Sequence, residues 1–264
     1  MKKIILRGQN SFIGKNCKLI LRKKFKIVKF SKNQKVINPK KTYLFHLAAK
    51  TSVVKSFINP KSTIFTNFKL LLESLEFCRK NRIKLVFFST AYQKDLNKFT
   101  SPYSFSKNIC ENICEYYSKS FRMDICIIRL TNIYGKFQKK NLINDMINNL
   151  KNKKNIEIVN HDVSRDFLYI KDLILALEKI INKFPKKINI YNISQSKNIN
   201  IFNAILIIKD IMKSNSILIK KKIKNAQSTF KNKKISNSKF KKKFLWEPKF
   251  SFAEGIKDIL NEEK

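Results

Sequence analysis

A short loop near the start of the chain carries two of its only four glycines, Gly8 and Gly14. The apolar run at residues 3–6 predicts a strand before the loop, and the pattern of residues 12–21 predicts an amphipathic helix after it. A glycine loop at that place lets the backbone amides of the helix N-terminus face a phosphate group. An ordinary strand–turn–helix connection is the alternative, but the scarcity of glycine elsewhere favours a phosphate-binding loop.

Short β-rich runs and longer amphipathic stretches alternate along the chain, which predicts a parallel sheet with helical crossovers. Further strands are predicted at residues 26–30, 43–47, 85–89, 124–130 and 188–193. Further helices are predicted at residues 60–79, 104–121, 141–150, 171–181 and 202–212. The expected fold class is therefore α/β, with a Rossmann-like doubly wound parallel sheet.

The segment between the second and third predicted strands is short. Only 12 residues, from Ser31 to Thr42, are available there, whereas a parallel crossover with its helix takes at least about 10–12 residues by itself. We therefore expect one edge of the sheet to be thinner than usual. Dinucleotide-binding folds usually place a carboxylate at the start of this segment for the ribose hydroxyls. None is present, and Ser31 and Lys32 can receive a 2′-phosphate, which favours NADP over NAD.

The net charge of +39 raises the possibility of a polyanionic partner. Only seven of the 57 basic residues are arginine, however, and arginine is the side chain that binds phosphate or guanine in a bidentate manner. The lysines are spread along the whole chain, and the runs at 22–24, 220–222 and 241–243 are typical of solvated faces. We therefore do not expect nucleic acid as the partner, while an anionic small substrate would benefit from the field.

Cysteine usage and hydropathy indicate a cytoplasmic protein. The sequence contains no C-x-x-C, no metal-ligand cluster and no secretion signal, so we expect reduced, buried thiols and no metal. Its five cysteines are Cys17, Cys78, Cys110, Cys114 and Cys126. No apolar run approaches the roughly 18 residues that a membrane span requires.

Tyr103 and Lys107 lie four residues apart, on one face of the helix predicted after the fourth strand. An ammonium about 4 Å from a phenolate is worth roughly 4 kcal/mol, which predicts a tyrosine pKa lowered toward neutrality. Such a tyrosine can exchange a proton with a sugar hydroxyl. With eight tyrosines and 50 lysines in the chain, about 1.5 such pairs arise by chance, so the position of this pair carries the inference.

The fourth predicted strand ends in Ser89 and Thr90, just before the tyrosine helix. A hydroxyl at this point can hydrogen-bond a substrate oxygen and hold it near Tyr103. The alternative is a Ser/Thr side chain that only caps the end of the strand.

In this order the residues resemble the extended short-chain dehydrogenase/reductase family, in its NAD-dependent sugar-nucleotide epimerase/dehydratase branch. The similarity runs nearly end to end. The segments that carry it are the loop 8–14, Phe45-His46-Leu47-Ala48-Ala49, Asn59-Pro60 with Asn67, Val86-Phe87-Phe88-Ser89-Thr90, Pro102 to Lys107, Arg129-Leu130-Thr131-Asn132-Ile133-Tyr134-Gly135, Arg165 to Asp172, and Leu245-Trp246-Glu247-Pro248 with Glu254-Gly255.

The resemblance implies roles for individual residues. Thr90, Tyr103 and Lys107 would be catalytic, with Lys107 also holding the nicotinamide ribose. Asn132 and Arg165 would contact the diphosphate of a nucleotide-sugar substrate. The alternatives are a turn cap for Asn132 and a surface ion pair for Arg165. The cofactor, NAD or NADP, would be bound by Gly8, Ser11, Phe12, Ile13, Gly14, Ser31, Lys32, Ala48, Ala49, Asn67 and Lys107.

The resemblance also implies an organisation of the chain. Residues 1–135, with roughly 162–195, would form the NAD(P)-binding Rossmann domain. Residues 136–161 and 196–264 would form a smaller α/β part that binds substrate. A homodimer is expected through the helices at 60–79 and 104–121.

The chain departs from the family pattern in the glycine loop and in the segment after Thr90. Ser11 replaces the middle glycine of the loop, although its hydroxyl can donate to a phosphate oxygen. The segment after Thr90 is shortened to Ala91-Tyr92-Gln93, which favours Thr90 over Ser89 as the catalytic hydroxyl. The same segment lacks the Asp-Glu pair that dehydratases of the family use to eliminate water.

The sequence therefore predicts an NAD(P)-dependent epimerase or 4-keto-sugar reductase that transfers hydride at a ring carbon of a nucleotide sugar. Dehydration is disfavoured. The rival is a non-catalytic member of the same fold that binds cofactor or nucleic acid. A pure binding module has no need of Tyr103 and Lys107, which favours the enzyme.

Overall fold

The computed structural model describes residues 1–95, 98–99, 101–138, 141–152, 155–159, 163–221 and 234–261. In chain order the strands are β1 Lys3–Arg7, β2 Lys26–Lys29, β3 Thr42–His46, β4 Lys84–Thr90, β5 Lys94–Asp95, β6 Lys98–Phe99, β7 Ile125–Leu130, β8 Asn132–Tyr134, β9 Asn155–Val159, β10 Ser164–Tyr169, β11 Ile188–Ile193, β12 Asn198–Asn200 and β13 Ile217–Lys221. The helices are α1 Phe12–Leu21, α2 Val53–Ile58, α3 Pro60–Asn81, α4 Pro102–Phe121, α5 Leu142–Asn152, α6 Ile170–Asn182, α7 Ile201–Met212, α8 Ser238–Phe244 and α9 Phe252–Asn261.

The central sheet is parallel, in the order β11-β7-β4-β3-β1-β2 within the described residues. Ile5 of β1 lies opposite both Val28 and Leu44, which fixes the register of β2, β1 and β3 at one end of the sheet. Helices cover both faces, with α1 packed against α6 and α3 packed against α4. The predicted α/β class and the doubly wound parallel sheet are confirmed.

Alternate residues of the strands point into two separate hydrophobic cores, as the two-residue period of a strand requires. Ile4 and Leu6 belong to the larger core, which also contains α6 and the C-terminal helices. Ile5 belongs to the smaller core beneath α3 and α4. Burial on both faces explains why these strands are almost continuously apolar in the sequence.

The sheet ends at β2, as the short segment after it predicts. Within the described residues no further strand pairs beyond β2. The connection to β3 contains only a 3₁₀ turn at Pro39–Lys41, and Asn38 caps it by accepting a hydrogen bond from the Lys41 backbone at 3.3 Å. The chain is too short there for a complete helix and strand, so the expected thin edge is confirmed.

Capping residues determine where the long helices begin. Asn59 caps α3, with Pro60 in its first turn. Ser101 caps α4 and forms a reciprocal capping box with Ser104, and Pro102 lies in the first turn. Proline is favoured in that turn because it lacks the N–H that would remain unpaired. Helix α4 consequently begins two residues before the predicted start at residue 104.

The buried carboxylate of Asp172 fastens the closing segment of the chain to the central body. It accepts the backbone N–H of Lys249 at 2.8 Å and that of Phe250 at 3.2 Å. Trp246, in the same segment, is buried and packs edge-on against Phe240 with ring centroids 5.2 Å apart. The Trp-x-Pro element therefore has a packing role.

Several short elements were not predicted, namely α2, α8, α9, β5, β6, β8, β9, β10, β12 and β13. Most are too short or too polar to show a clear period, and β8 forms only by pairing with distant β10, where Tyr134 lies opposite Tyr169. The expected division into two parts stays a prediction. Its limits at residues 161, 162 and 264 lie outside the described residues.

Replacement of Asp172 by alanine should lower the free energy of unfolding by about 1–3 kcal/mol, because two backbone N–H groups lose their buried acceptor. Urea denaturation measures the change. Asp210→Ala, at an exposed position of α7, is the control and should stay within about 0.5 kcal/mol of the parent. Equal effects of both substitutions would contradict the role assigned to Asp172.

Candidate active site

A cavity of about 650 Å³ opens over the carboxyl ends of β3, β4 and β7. Parallel α/β sheets bind their ligands at this edge. Within its wall the cavity brings together nine of the residues expected from the sequence, which are Ser11, Phe12, Ile13, Ala49, Thr90, Tyr103, Lys107, Asn132 and Arg165. The remaining six, Gly8, Gly14, Ser31, Lys32, Ala48 and Asn67, are not part of that wall.

The glycine loop is packed too tightly for side chains at its two ends. Gly8 has a φ of +102°, and a Cβ atom there would lie 2.9 Å from the backbone nitrogen of Ala48. A Cβ atom on Gly14 would overlap the carbonyl oxygen of Gly8. The loop therefore brings the N-terminus of α1 close to the ends of β1 and β3, which fits the phosphate loop of a dinucleotide cofactor.

Ser11 is the N-cap of α1, and its Oγ accepts the Gly14 N–H at 3.1 Å. The hydroxyl thus accepts a backbone N–H that would stay available for a phosphate oxygen if residue 11 were glycine. The sequence suggested only a donor role for this hydroxyl. In the structure it is first an acceptor within its own loop.

Thr90 is the last residue of β4, and its Oγ1 accepts the Tyr92 N–H at 3.2 Å in the cavity wall. The neighbouring Ser89 hydroxyl accepts from the Gln93 side chain at 3.1 Å. The same amide nitrogen of Gln93 also donates to the buried carboxylate of Glu111. Ser89 is therefore tied into a buried network, which supports Thr90 as the hydroxyl for substrate.

Lys107 is 4% exposed, and its ammonium group donates to the backbone carbonyl of Phe88 at 2.7 Å. It also lies 4.8 Å from the centre of the Phe87 ring. Burial lowers the pKa of Lys107 to about 8, an effect that nearby Cys110, Cys114 and Glu111 partly oppose.

The prediction that the Lys107 ammonium lowers the pKa of Tyr103 is wrong for the protein without cofactor. Burial raises the pKa of Tyr103 to about 12, whereas the sequence predicted a shift toward neutrality. The loss of water around the phenol dominates, because the Lys107 ammonium is directed at the Phe88 carbonyl. Tyr103 is consequently protonated at neutral pH in this structure.

The side chain of Asn67 forms its hydrogen bonds with other protein groups, at the start of α4 and in the loop after β3. Its side chain accepts the Lys50 N–H at 2.7 Å and donates to the Lys50 carbonyl at 3.1 Å. It also donates to Ser106 at 2.9 Å, and the Ser106 hydroxyl donates to the Tyr103 carbonyl at 2.7 Å. Asn67 thereby joins the loop after β3 to the first turn of α4.

Asn132 uses both hydrogens of its side-chain amide within the protein. The nitrogen donates to the Tyr92 hydroxyl at 3.0 Å and to the Asp166 carbonyl at 3.1 Å. Because a backbone carbonyl can only accept, this contact fixes the orientation of the amide. The remaining polar atom of Asn132 is its oxygen, so the residue offers a ligand an acceptor.

Arg165 lines the cavity, and burial lowers its pKa. The adjacent Asp166 is fully buried and accepts hydrogen bonds from Thr131 and from the Gln195 backbone, each at 2.9 Å. The Asp166 carboxylate therefore does not form the surface ion pair that was the alternative for this segment.

The sequence did not single out three polar residues of the cavity, Tyr92, Gln138 and Asn141. Asn141 caps α5 by accepting the backbone N–H groups of Ile143 and Asn144. Its side-chain nitrogen and the side-chain oxygen of Gln138 are buried without a hydrogen-bond partner among the described residues. The asparagine at the start of the predicted helix 141–150 was the available signal, while nothing local pointed to Gln138.

Lys32 and Ser31 lie outside the cavity wall, at the end of β2. The Lys32 ammonium forms an ion pair with Glu73 of α3 at 2.9 Å. The sequence favoured Lys32 as a binding group for a 2′-phosphate. In the structure this lysine is already paired with a carboxylate of α3.

In the described part of the chain, no group of His, Cys, Asp and Glu side chains is arranged to hold a metal ion. None of the helices described is both long enough and apolar enough to cross a membrane. All five cysteines are buried free thiols, as expected.

The model of the NAD dependent epimerase/dehydratase family matches residues 8–194. A UDP-glucuronate 4-epimerase of Thermodesulfobacterium geofontis is 30% identical over 232 residues, which cover 83% of this chain and 71% of that protein. A dTDP-D-glucose 4,6-dehydratase of Dictyostelium discoideum is 30% identical over 195 residues, or 62% of this chain. The match spans only 44% of the Dictyostelium protein, a little less than half its length.

Among solved structures, RMD from Pseudomonas aeruginosa complexed with NADPH superposes with a TM-score of 0.86 at 18% identity. The match covers 99% of this chain and 98% of that one. At this identity the likeness establishes the Rossmann-like fold, and the family match covers most of the chain. The chain belongs to the NAD dependent epimerase/dehydratase family.

Proposed function

We propose that this protein is an NAD(P)-dependent epimerase or 4-keto-sugar reductase acting on a nucleotide-activated sugar. The observation that carries the proposal is the cavity itself. It joins the glycine-loop residue Ser11 to the acid/base pair Tyr103 and Lys107, and this pair to Asn132 and Arg165. One ligand-sized space thus contains groups for a cofactor, a proton and an anionic substrate.

The residues of the cofactor half fit a dinucleotide. The loop from Gly8 to Gly14, with the α1 N-terminus, would hold the pyrophosphate, and the strand end at Ala48 and Ala49 would border the cofactor. When bound, a nicotinamide supplies reversible hydride chemistry. The family description names NAD, and the Pseudomonas structure contains NADPH.

Tyr103 is the group that moves the proton at the sugar hydroxyl. Thr90 holds that oxygen through its own hydroxyl, and the buried Lys107 lies one turn along α4 from Tyr103 in the same cavity. Since the Tyr103 pKa is raised to about 12, the chain alone presents a phenol at neutral pH. This state is the proton donor for reduction of a ketone, whereas oxidation of an alcohol requires the phenolate.

The substrate half is suited to a diphosphate and a sugar. Arg165 provides a half-buried cation in the cavity, and Asn132 provides an acceptor for a hydroxyl. The relatives include an epimerase and a dehydratase. We favour epimerase or reductase chemistry because Ala91 and Tyr92 after Thr90 provide no carboxyl group for the elimination of water.

We also propose that residues 1–135 with roughly 162–195 bind the cofactor and that 136–161 with 196–264 bind substrate. Exposed aromatic side chains on α3 and α4, such as Phe65 and Tyr116 at 61% each, support a homodimer through these helices. Buried free thiols support a reducing, cytoplasmic location.

The direct test is turnover. Purified protein is incubated with UDP-, GDP-, dTDP- and CDP-sugars in the presence of NAD(H) or NADP(H), and the products are analysed by chromatography. An epimer or a reduced sugar supports the proposal. The proposal would be overturned, in favour of a non-catalytic relative, if no sugar is turned over and calorimetry detects no binding of either cofactor at millimolar concentration.

Tyr103→Phe should lower kcat by about 10²–10⁴-fold, because the proton donor is lost. Binding of the nucleotide sugar, measured by calorimetry, should change little. Tyr116→Phe removes an exposed hydroxyl from the same helix and should leave kcat unchanged. If the two variants behave alike, Tyr103 is not the acid/base group.

The phenol of Tyr103 should titrate abnormally in the absence of cofactor. Burial disfavours the phenolate and raises the pKa to about 12, above the value near 10 of an unperturbed tyrosine. An ultraviolet difference titration between the parent and Tyr103→Phe isolates this phenol. A midpoint below about 10 would show that the charge of Lys107 outweighs burial.

Ser11→Gly should bind cofactor about tenfold more tightly, because the Gly14 N–H becomes available for a charge-assisted hydrogen bond to phosphate. The lost cap costs only a few tenths of a kcal/mol. Ser11→Ala frees the same N–H but keeps the Cβ atom, and should gain less. Weaker binding by Ser11→Gly would mean that the hydroxyl itself serves the phosphate.

A further inference from the structure

We propose that Glu73 of α3 takes the place of the acid absent from the end of β2, binds the adenosine ribose hydroxyls of the cofactor, and makes the protein selective for NAD(H). The inference rests on the proposed function, since it concerns the cofactor of that same site. It assigns a specificity-determining residue that no local motif indicates.

The first support is the position of the Glu73 carboxylate. One oxygen accepts from the guanidinium of Arg7, and the other accepts from the Lys32 ammonium at 2.9 Å. Arg7 ends β1 and directly precedes Gly8 of the phosphate loop, while Lys32 follows β2. The carboxylate therefore lies between the carboxyl ends of the two strands that carry the adenosine half of a dinucleotide in this fold.

The second support is that this position is built rather than accidental. Arg7 is 7% exposed, and its guanidinium lies 4.6 Å from the centre of the Phe30 ring. The same guanidinium donates to Ser74 at 3.1 Å, and Ser74 shares a 2.8 Å hydrogen bond with the buried His46. Because Arg7 is immobilised on three sides, the carboxylate bound to it is immobilised as well.

The third support is charge. Hydrogen bonds from Arg7 and Lys32 lower the pKa of Glu73, so the carboxylate is ionised at neutral pH. Each carboxylate oxygen can accept more than one hydrogen bond, so a ribose hydroxyl can bind beside the two cations. A 2′-phosphate brings additional negative charge to the same place and would be repelled by Glu73.

This arrangement reverses the cofactor preference that the sequence suggested. The lysine at the end of β2 was expected to receive a 2′-phosphate. In the structure its charge is already compensated by Glu73, and Arg7 is buried behind the same carboxylate. A diol therefore fits this place better than a phosphate monoester.

The test compares the dissociation constants of NAD⁺, NADP⁺ and 2′-deoxy-NAD⁺, measured by calorimetry on the full chain. The parent should bind NAD⁺ at least about tenfold more tightly than either analogue, since a hydrogen bond to a charged group is lost or a charge is repelled. In Glu73→Gln the dissociation constant of NADP⁺ divided by that of NAD⁺ should fall by about tenfold or more. In Glu73→Ala, NAD⁺ and 2′-deoxy-NAD⁺ should bind alike.

Two further variants make the outcome decisive. Glu76→Gln changes a carboxylate on the same helix that pairs with Arg79, and it should leave all three constants within about twofold. Lys32→Gln should preserve the preference for NAD⁺. Thermal melting of Glu73→Gln checks that the protein stays folded when the buried Arg7 loses its charged partner. If Glu73→Gln unfolds, the cofactor preference of Lys32→Gln is the measurement that remains.

Several results would overturn the inference. The parent could bind NADP⁺ more tightly than NAD⁺, or the ratio of the two dissociation constants could stay unchanged in Glu73→Gln. A selective loss of NADP⁺ binding in Lys32→Gln would have the same meaning. Failure of the parent to bind any of the three dinucleotides would instead overturn the proposed function, so the two failures are distinguishable.

Discussion

The hydrogen bond from the Lys107 ammonium to the Phe88 carbonyl joins α4 to β4, the strand that ends in Thr90. A buried ammonium is costly unless it is hydrogen-bonded, so this contact holds Lys107 to one position. Tyr103, one turn earlier on α4, is thereby placed over the end of β4. Thr90 is two residues beyond Phe88 on the same strand, so this attachment helps to set the positions of all three groups.

The segment after Thr90 shows how the site tolerates a shortened loop. Gln93 is buried and connects Ser89 to Glu111, which binds Arg129 of β7 through both carboxylate oxygens, Oε1 at 3.0 Å and Oε2 at 2.6 Å. The network holds the short segment against the sheet and leaves Tyr92 in the cavity wall. Tyr92 in turn orients the amide of Asn132.

The cofactor half is built by different means. Gly8 and Gly14 allow the backbone of α1, β1 and β3 to meet closely, and Ser11 caps the helix at the place where an anion would bind. Beyond it, α3 contributes Glu73 to the edge of a sheet that ends at β2. Helix α3 thus provides a carboxylate at this edge, where the short connection after β2 contains none.

The sequence by itself determined the order of the main strands and helices, the glycine loop and the thin sheet edge. These features follow from local periodicity, capping and the reach of a short chain segment. The protonation of Tyr103, the pairing of Lys32, the contacts of Asn67 and the orientation of the Asn132 amide were decided only by the tertiary structure. Each depends on burial or on a partner distant in the chain, such as Glu73 for Lys32 or Asp166 for Asn132. No local pattern encodes desolvation or such a contact, because both arise only when the elements pack together.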